Sequence, residues 1–326
     1  MIELADIEAA RQRIDGKVRI TPVDESESLT ARCGVPVHLK LEHRQLTGAF
    51  KLRGAMNAVA KLNAEERARG VVAASTGNHG RALAYAAAQS GVRAIIAMSA
   101  LVPQNKVAAI RALGADVRII GQSQDDAQEE VERLIREEGV VSVPPFDHAD
   151  IIAGQGTIGL EIVEQVPDAA LVLVPLSGGG LISGVAAAIK ALRPDVRVVG
   201  VSMQRGAAMA ASLAARQPVA VEELATLADS LGGGIGLANL HTFEMTRQLV
   251  DDVVLLTEAE IAAGIRHAYL EEREVVEGAG AVGIAALLAG KVTSRGPIVV
   301  LMSGRNIDMA LHQRIVAGAN ALEEAV

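Results

Sequence analysis

The stretch LVLVPLSGGGLISGVAAAIKAL, residues 171–192, decides how the chain is read. It opens as a continuous apolar run of strand length and continues from Leu181 as a small-residue, helix-forming segment. Three successive glycines, Gly178, Gly179 and Gly180, lie between, so the backbone can turn sharply and approach an anion closely. A buried strand, a tight turn and a covering helix form the repeating unit of a parallel α/β sheet. A dinucleotide turn is the obvious competitor, but Gly178, Gly180 and Gly184 give GxGxxxG. The next strand, VRVVGVS (196–202), ends on Ser202 where a ribose-binding acid is needed. A simple phosphate fits the pattern better; a tight turn with close helix packing is the structural alternative.

The same unit recurs on both sides. VPVHLKLE (35–42), GVVAAS (70–75), RAIIAMS (93–99), ADVRII (115–120), VVSVPPF (140–146), VVLL (253–256) and PIVVLMS (297–303) read as apolar strands. Helical segments alternate with them, among them RALAYAAAQSG (81–91), Pro103 to Leu113 and DDAQEEVERLIREEG (125–139). Continuous apolar strands covered by helices predict an α/β protein with parallel sheets. No proline- or glycine-rich linker divides the chain and no internal repeat is found, so a second domain is expected as an insertion into the first.

Composition narrows the function. Across 326 residues, 50% are hydrophobic and 21% charged, as in an ordinary globular enzyme. Aromatics are only 2%, and the net charge is −8, which together argue against a nucleic-acid partner. Cys33 is the one cysteine, which excludes a disulfide framework or CxxC metal site and fits a reducing cytosol. The opening MIELADIEAARQRIDGKV has no apolar core of a signal peptide, and no run approaches the roughly 20 residues that span a bilayer. A cytoplasmic protein without a membrane partner is expected. His38, His43, His79, His148, His241, His267 and His312 show no HExxH-like spacing, so no zinc site is expected.

Two further stretches carry chemistry. In LTGAFKLRGAMNAV (46–59), Leu52, Ala55, Met56 and Val59 recur at helical spacing. Thr47 and Gly48 read as the N-cap region, which sets Lys51 in the first turn, where the helix dipole disfavours an ammonium by roughly 0.3–1 kcal/mol. The chain has seven lysines against twenty-four arginines. Lys51 alone combines an apolar helix with neighbours Gly48 and Phe50, where desolvation and dipole both favour the neutral amine that imine chemistry needs. STGNHG (75–80) joins a strand to a helix and offers N–H groups to a carboxylate or phosphate. Its structural alternative is a helix cap with a turn asparagine.

These features occur together in one family. The chain resembles the fold-type II pyridoxal-phosphate enzymes, whose fold is tryptophan synthase β-like, within the threonine/serine dehydratase and serine racemase branch. The resemblance runs through RITPV (19–23), LTGAFKLRGA (46–55), ASTGNHGRALA (74–84), IIAGQGTIGLEI (151–162), PLSGGGLISG (175–184), TLADS (226–230), VVEGAGAVG (275–283) and LMSGRNID (301–308). It implies two open, twisted, mostly parallel sheets flanked by helices. Residues 1–46 and 146–326 would form a discontinuous large cofactor-binding domain, and 47–145 a small inserted domain with Lys51 and STGNHG. Pyridoxal 5′-phosphate is the implied cofactor. Lys51 would bond to its aldehyde, Phe50 would flank its ring and Asn78 would hold its 3′-oxygen. Gly178, Gly179, Gly180 and Leu181 would hold its phosphate, Ser303 would face its ring nitrogen and Glu277 would lie near the ring. Ser75, Thr76, Gly77, Asn78 and His79 would grip the carboxylate of a small amino-acid substrate, and a homodimer is implied. The activity implied is ammonia-lyase chemistry: β-elimination of water from a β-hydroxy amino acid to a 2-oxo acid and ammonia. Within the branch, ASTGNHGRALA, TLADSLGGGIG and SGRNIDM are most similar to the dehydratase-like enzyme of hydroxyectoine utilisation. The alternatives are a serine racemase, a general L-serine/L-threonine deaminase and, in another class, a non-catalytic cofactor-binding regulatory protein.

Several positions depart from the family pattern. Ser177 replaces the first glycine of the usual four-glycine loop, and Ser230 stands where relatives have glycine. Ser202 and Ala208 occupy the places of two metal-binding carboxylates of racemases, so that metal is not expected. Pro144 replaces a histidine common in dehydratases, which points to a substrate other than plain threonine. Thr76 stands where racemases have a serine that protonates the opposite face of the carbanion; its hydroxyl either does the same or caps the helix. Under the first reading, deuterium enters Cα of the D-isomer and the exchange is lost in Thr76→Ala. No exchange in the parent enzyme ends that reading.

Overall fold

The computed structural model describes residues 1–75, 77–100, 102, 104–122 and 124–322. Among these, the strands are β1 (Val23–Glu25), β2 (Val37–Lys40), β3 (Val71–Ala74), β4 (Ala94–Met98), β5 (Asp116–Ile119), β6 (Val141–Ser142), β7 (Leu171–Pro175), β8 (Arg197–Met203), β9 (Asp252–Leu256) and β10 (Ile298–Leu301). They form two sheets, one in the order β1-β2-β10-β7-β8-β9 and one in the order β5-β4-β3-β6. Every pairing is parallel except that of β1 with β2. The chain is thus an α/β protein of the expected class. Alternate residues show why the strands read as unbroken apolar runs. Leu171 and Leu173 of β7 enter one core, whereas Val172 and Val174 enter the core on the opposite face. In the smaller sheet, Val71 and Val72 divide in the same way.

Two local expectations change, and a third stretch gains a structure. The Lys51–Lys61 helix starts at Lys51, not near Thr47 and Gly48, because the residues before it are engaged elsewhere. Ala49 forms an antiparallel bridge with Gly304, and the Phe50 N–H donates to the Ser303 carbonyl at 3.0 Å. β6 is only two residues long, since Pro144 and Pro145 have no N–H to extend the ladder. RITPV, a motif without assigned structure, leads into the antiparallel edge strand β1. No helix among the described residues is long and apolar enough to cross a membrane.

The Lys51–Lys61 helix is clamped from behind. It crosses the Ala149–Gln165 helix so closely that a Cβ on Gly154 would lie 2.6 Å from the Gly54 Cα. Beside this crossing, Arg53 is 1% exposed and forks onto Glu42 at 2.7 and 2.9 Å and onto Glu161 at 2.6 and 2.9 Å. Lys40, fully buried, also pairs with Glu161. Burial opposes charge on Arg53, but its two carboxylates outweigh that cost and raise its pKa. Burial likewise pushes Glu42 up, and Arg53, Lys40 and the Thr21 hydroxyl more than reverse it. Two cations thus balance two anions in the interior, each with hydrogen-bond partners, the condition under which buried ion pairs persist. Arg53→Met strands Glu42 and leaves Glu161 with Lys40 alone, and is expected to cost about 3–5 kcal/mol in urea unfolding. Arg53→Lys should recover only part of this, because an ammonium lacks the fork. A loss under about 1 kcal/mol in the Met variant would refute the clamp.

Candidate functional site

The order of strands gathers four loops. β10 lies between β2 and β7, far from both in sequence, so chain connections leave β7 and β10 in different directions. Such a switch point opens a crevice at the carboxyl ends of the strands. There the glycine turn after β7 and the Ser303–Asn306 segment after β10 emerge. The smaller sheet repeats the device at β3 and β6, which are neighbours although β4 and β5 separate them in the chain. From these ends lead Ser75 with the start of the Asn78–Gln89 helix, and the Val143–Phe146 segment.

Lys51 opens its helix between the loops. Its Nζ donates to the Pro145 carbonyl at 2.6 Å and stands 5.3 Å from the centre of the Phe50 ring. Burial lowers its pKa to about 8, with Glu277 acting in the opposite sense. A larger share of this amine is therefore neutral near physiological pH than for a solvent-exposed lysine, although the protonated form still predominates there.

Val143–Phe146 reaches two other parts of the site. The His79 Nε2–H donates to the Val143 carbonyl at 2.7 Å, and burial, reinforced by the Lys51 charge, lowers the histidine to about 3. The ring is neutral, and its buried Nδ1 has no partner among the described residues. Phe146 packs into the glycine turn: a Cβ on Gly178 would lie 2.5 Å from its ring, and one on Gly180 would lie 2.8 Å from its carbonyl oxygen. Gly179 has φ +89°, in the left-handed region that suits glycine, and precedes the Gly180–Leu192 helix. The N–H groups of Gly180 and Leu181 belong to that helix's first turn, which has no acceptors of its own. Adjacent residues Pro145 and Phe146 thus tie the amine to the glycine turn.

Opposite lies a carboxyl group. Glu277 is 3% exposed and accepts from Asn78 Nδ2 at 2.7 Å. Burial, then the charge of Asp229, raises its pKa to about 7, while Asn78, Ser230 and the Asn306 N–H pull the other way. The hydroxyl of Ser230, noted as a departure, donates to Asp229 Oδ1 at 3.4 Å, beside this carboxylate. Ser303 is buried, and its carbonyl holds Phe50. Asn78 begins the Asn78–Gln89 helix, and Ser75 Oγ accepts the Gly80 N–H at 3.0 Å. Thr76 lies outside the described residues. Hydrogen bonds, and the packing of Phe146 against the glycine turn, thus bring Lys51, Phe50, Asn78, His79, Glu277, Ser303 and that turn together. Sequence reasoning passed over Pro145, whose carbonyl holds the lysine, and Asn306, although SGRNID contains it.

Comparison with known proteins follows the same lines. The family model described as "Pyridoxal-phosphate dependent enzyme" matches residues 14–304. A Sinorhizobium fredii protein called "Putative threonine dehydratase" is 64% identical, covering 99% of this chain and 98% of its own. The L-threonine ammonia-lyase of Thermotoga maritima is 43% identical over 97% of this chain and 78% of its own. The structure of maize serine racemase superposes with a TM-score of 0.90 at 35% identity, covering 94% of each chain.

The Glu277 carboxyl sets a pH dependence. Unfolded, it titrates at its ordinary value of 4.5; folded, at about 7. Between these values the folded protein holds the extra proton, so stability from this group is complete below the lower value and is lost as pH rises through the upper one. Urea unfolding at a series of pH values should show this fall, on the order of 3 kcal/mol, and Glu277→Gln should abolish it. Parallel profiles for the two proteins would contradict the assignment.

Proposed function

Because the chain belongs to the pyridoxal-phosphate dependent enzymes, we propose that it is a dehydratase, a lyase that removes water from a β-hydroxy amino acid and releases a 2-oxo acid and ammonia. The observation that carries this reading is the Lys51 amine, brought to a pKa of about 8 between loops of both sheets. The names of the Sinorhizobium and Thermotoga relatives support the reaction class.

The residues present fit the cofactor. A lysine with a depressed pKa suits its aldehyde, and a glycine turn at a helix start suits its phosphate. In this reading Phe50 flanks the ring, and the second N–H of Asn78, beyond the one on Glu277, serves the 3′-oxygen. Gly178, Gly179, Gly180 and Leu181 hold the phosphate, Ser303 faces the ring nitrogen, and Glu277 lies beside the ring. The two sheets correspond to a large domain (1–46 and 146–326) and a small inserted one (47–145), and the protein acts as a homodimer. When bound, the cofactor supplies an electron sink for the charge that develops at Cα.

The chain's own groups do the rest. Ser75–His79, at a helix N-terminus, orient the substrate carboxylate. With the cofactor and substrate bound, Lys51 would take the Cα proton, a step typically worth about 10²–10⁴-fold. Its depressed pKa leaves it an available base near neutral pH. Ser303 is a neutral partner, unlike an aspartate, and does not hold a proton on the ring nitrogen; the weaker sink favours elimination over transamination. The β-hydroxyl then leaves with a proton as water, and the released enamine tautomerises to an imine that a water molecule hydrolyses to the 2-oxo acid and ammonia.

For the substrate, the likeness of ASTGNHGRALA, TLADSLGGGIG and SGRNIDM favours a β-hydroxy amino acid derived from hydroxyectoine, and Pro144 in place of histidine favours a side chain other than that of threonine. The likeness to maize serine racemase makes racemisation of serine the second reading. Assays of 2-oxo acid release from L-serine, L-threonine, 3-hydroxyaspartate and a hydroxyectoine-derived amino acid, side by side, should favour the last. Racemisation without elimination would select the second reading, and cofactor binding without turnover would make the chain a regulatory protein. Borohydride reduction of the holoenzyme should leave the cofactor's mass on the Lys51 peptide, and Lys51→Ala should lose turnover by about 10³-fold. Label on another lysine, or turnover retained, would overturn the assignment.

A further inference from the structure

Asn306 is bonded on every side. Its backbone N–H donates to Glu277 Oε2 at 3.1 Å. Its Nδ2 donates to the Thr47 carbonyl at 3.0 Å and to Asn78 Oδ1 at 2.6 Å, and its Oδ1 accepts from Arg81 at 3.3 Å. The Gly48 position leaves room for it, since a Cβ there would lie 2.7 Å from Asn306 Oδ1.

The chemistry of these partners removes a two-fold ambiguity. A carboxamide can be turned over with little change of shape, exchanging its donor and acceptor ends. A peptide carbonyl only accepts and a guanidinium only donates, so Thr47 and Arg81 together fix which end of Asn306 is which. Both hydrogens of its NH2 group are then committed, one to Thr47 and one to Asn78. Asn78 must answer with its oxygen, and its own NH2 group must turn to the other side. There one hydrogen goes to Glu277 at 2.7 Å, and one remains.

We propose that Asn306 is a positioning residue that locks the Asn78 carboxamide with its NH2 group toward the cofactor's 3′-oxygen. This rests on the reading of Asn78 given above. Arg81 and Thr47 act one step further back, as the groups that set Asn306. Orientation thus passes from an unambiguous donor and an unambiguous acceptor, through two amides, to the group that meets the ring.

Three variants separate orientation from mere packing. Asn306→Asp keeps the shape but presents only acceptors, which drives Asn78 to turn over and point its oxygen at the ring. Asn306→Ala removes the preference without reversing it. After reconstitution with pyridoxal phosphate, the dissociation constant should rise about tenfold in the Asp variant and less in the Ala variant. The visible band of the bound cofactor should shift in the same order, with unchanged far-ultraviolet circular dichroism. A purely structural role makes Ala the more damaging change, and that order overturns the proposal. If the Asp variant does not fold, Arg81→Met decides: it removes one of the two groups that set Asn306 and leaves only the Thr47 carbonyl, so it should raise the dissociation constant about threefold, and wild-type affinity and spectrum overturn the proposal. A parent protein that takes up no pyridoxal phosphate refutes the reading of the site itself, whereas coloured variants identical to the parent refute the role of Asn306 alone.

Discussion

Everything at the site depends on Arg53 being held from behind. Its guanidinium is buried and forked onto Glu42 and Glu161, which come from the Glu42–Arg44 turn just after β2 and from the Ala149–Gln165 helix. Two residues along a helix are about 200° apart. Fixing Arg53 on one side therefore turns Lys51 to the other, toward Pro145 and the crevice. The Gly54–Gly154 contact fixes the distance between the helices and the ion pairs fix the rotation, so a residue remote from the chemistry aims the amine.

The same desolvation has opposite consequences in two neighbouring places. Around Arg53, opposite charges stand within hydrogen-bond distance, and attraction exceeds the cost of leaving water. Around Lys51, His79 and Glu277 the ionised groups are not directly paired, and desolvation leads. All three shift toward their neutral forms: the amine to about 8, the imidazole to about 3 and the carboxyl to about 7. One interior thus holds an ion-paired clamp and, nearby, groups held toward their neutral forms. The difference lies in which partners the fold supplies.

The loops that carry these groups are held mostly through backbone carbonyls. Pro145, Val143, Thr47 and Ser303 each contribute a C=O to Lys51, His79, Asn306 or Phe50. Carbonyls accept without titrating, so they fix orientation without adding a charge to compete with the lysine.

Much of this was legible in the residues. Unbroken apolar runs such as LVLVP and IVVL require burial on both faces, and period and length alone identify them as parallel strands. Lys51 stood out because an amine at a helix start on an apolar face has little reason to be there except reactivity, and Gly178–Gly180 because few residues permit so close a backbone approach. What tertiary structure alone decided is adjacency. Periodicity carries no information about which strand lies beside which, so it cannot place β10 between β2 and β7 or bring Ser303 to Phe50. Nor does it reveal that Asn306 meets Asn78, 228 positions away in the chain, or that Arg53 finds its second carboxylate 108 positions on. Burial and hydrogen-bond partners set the protonation and orientation of a group, and both come from contacts between segments that local sequence does not encode.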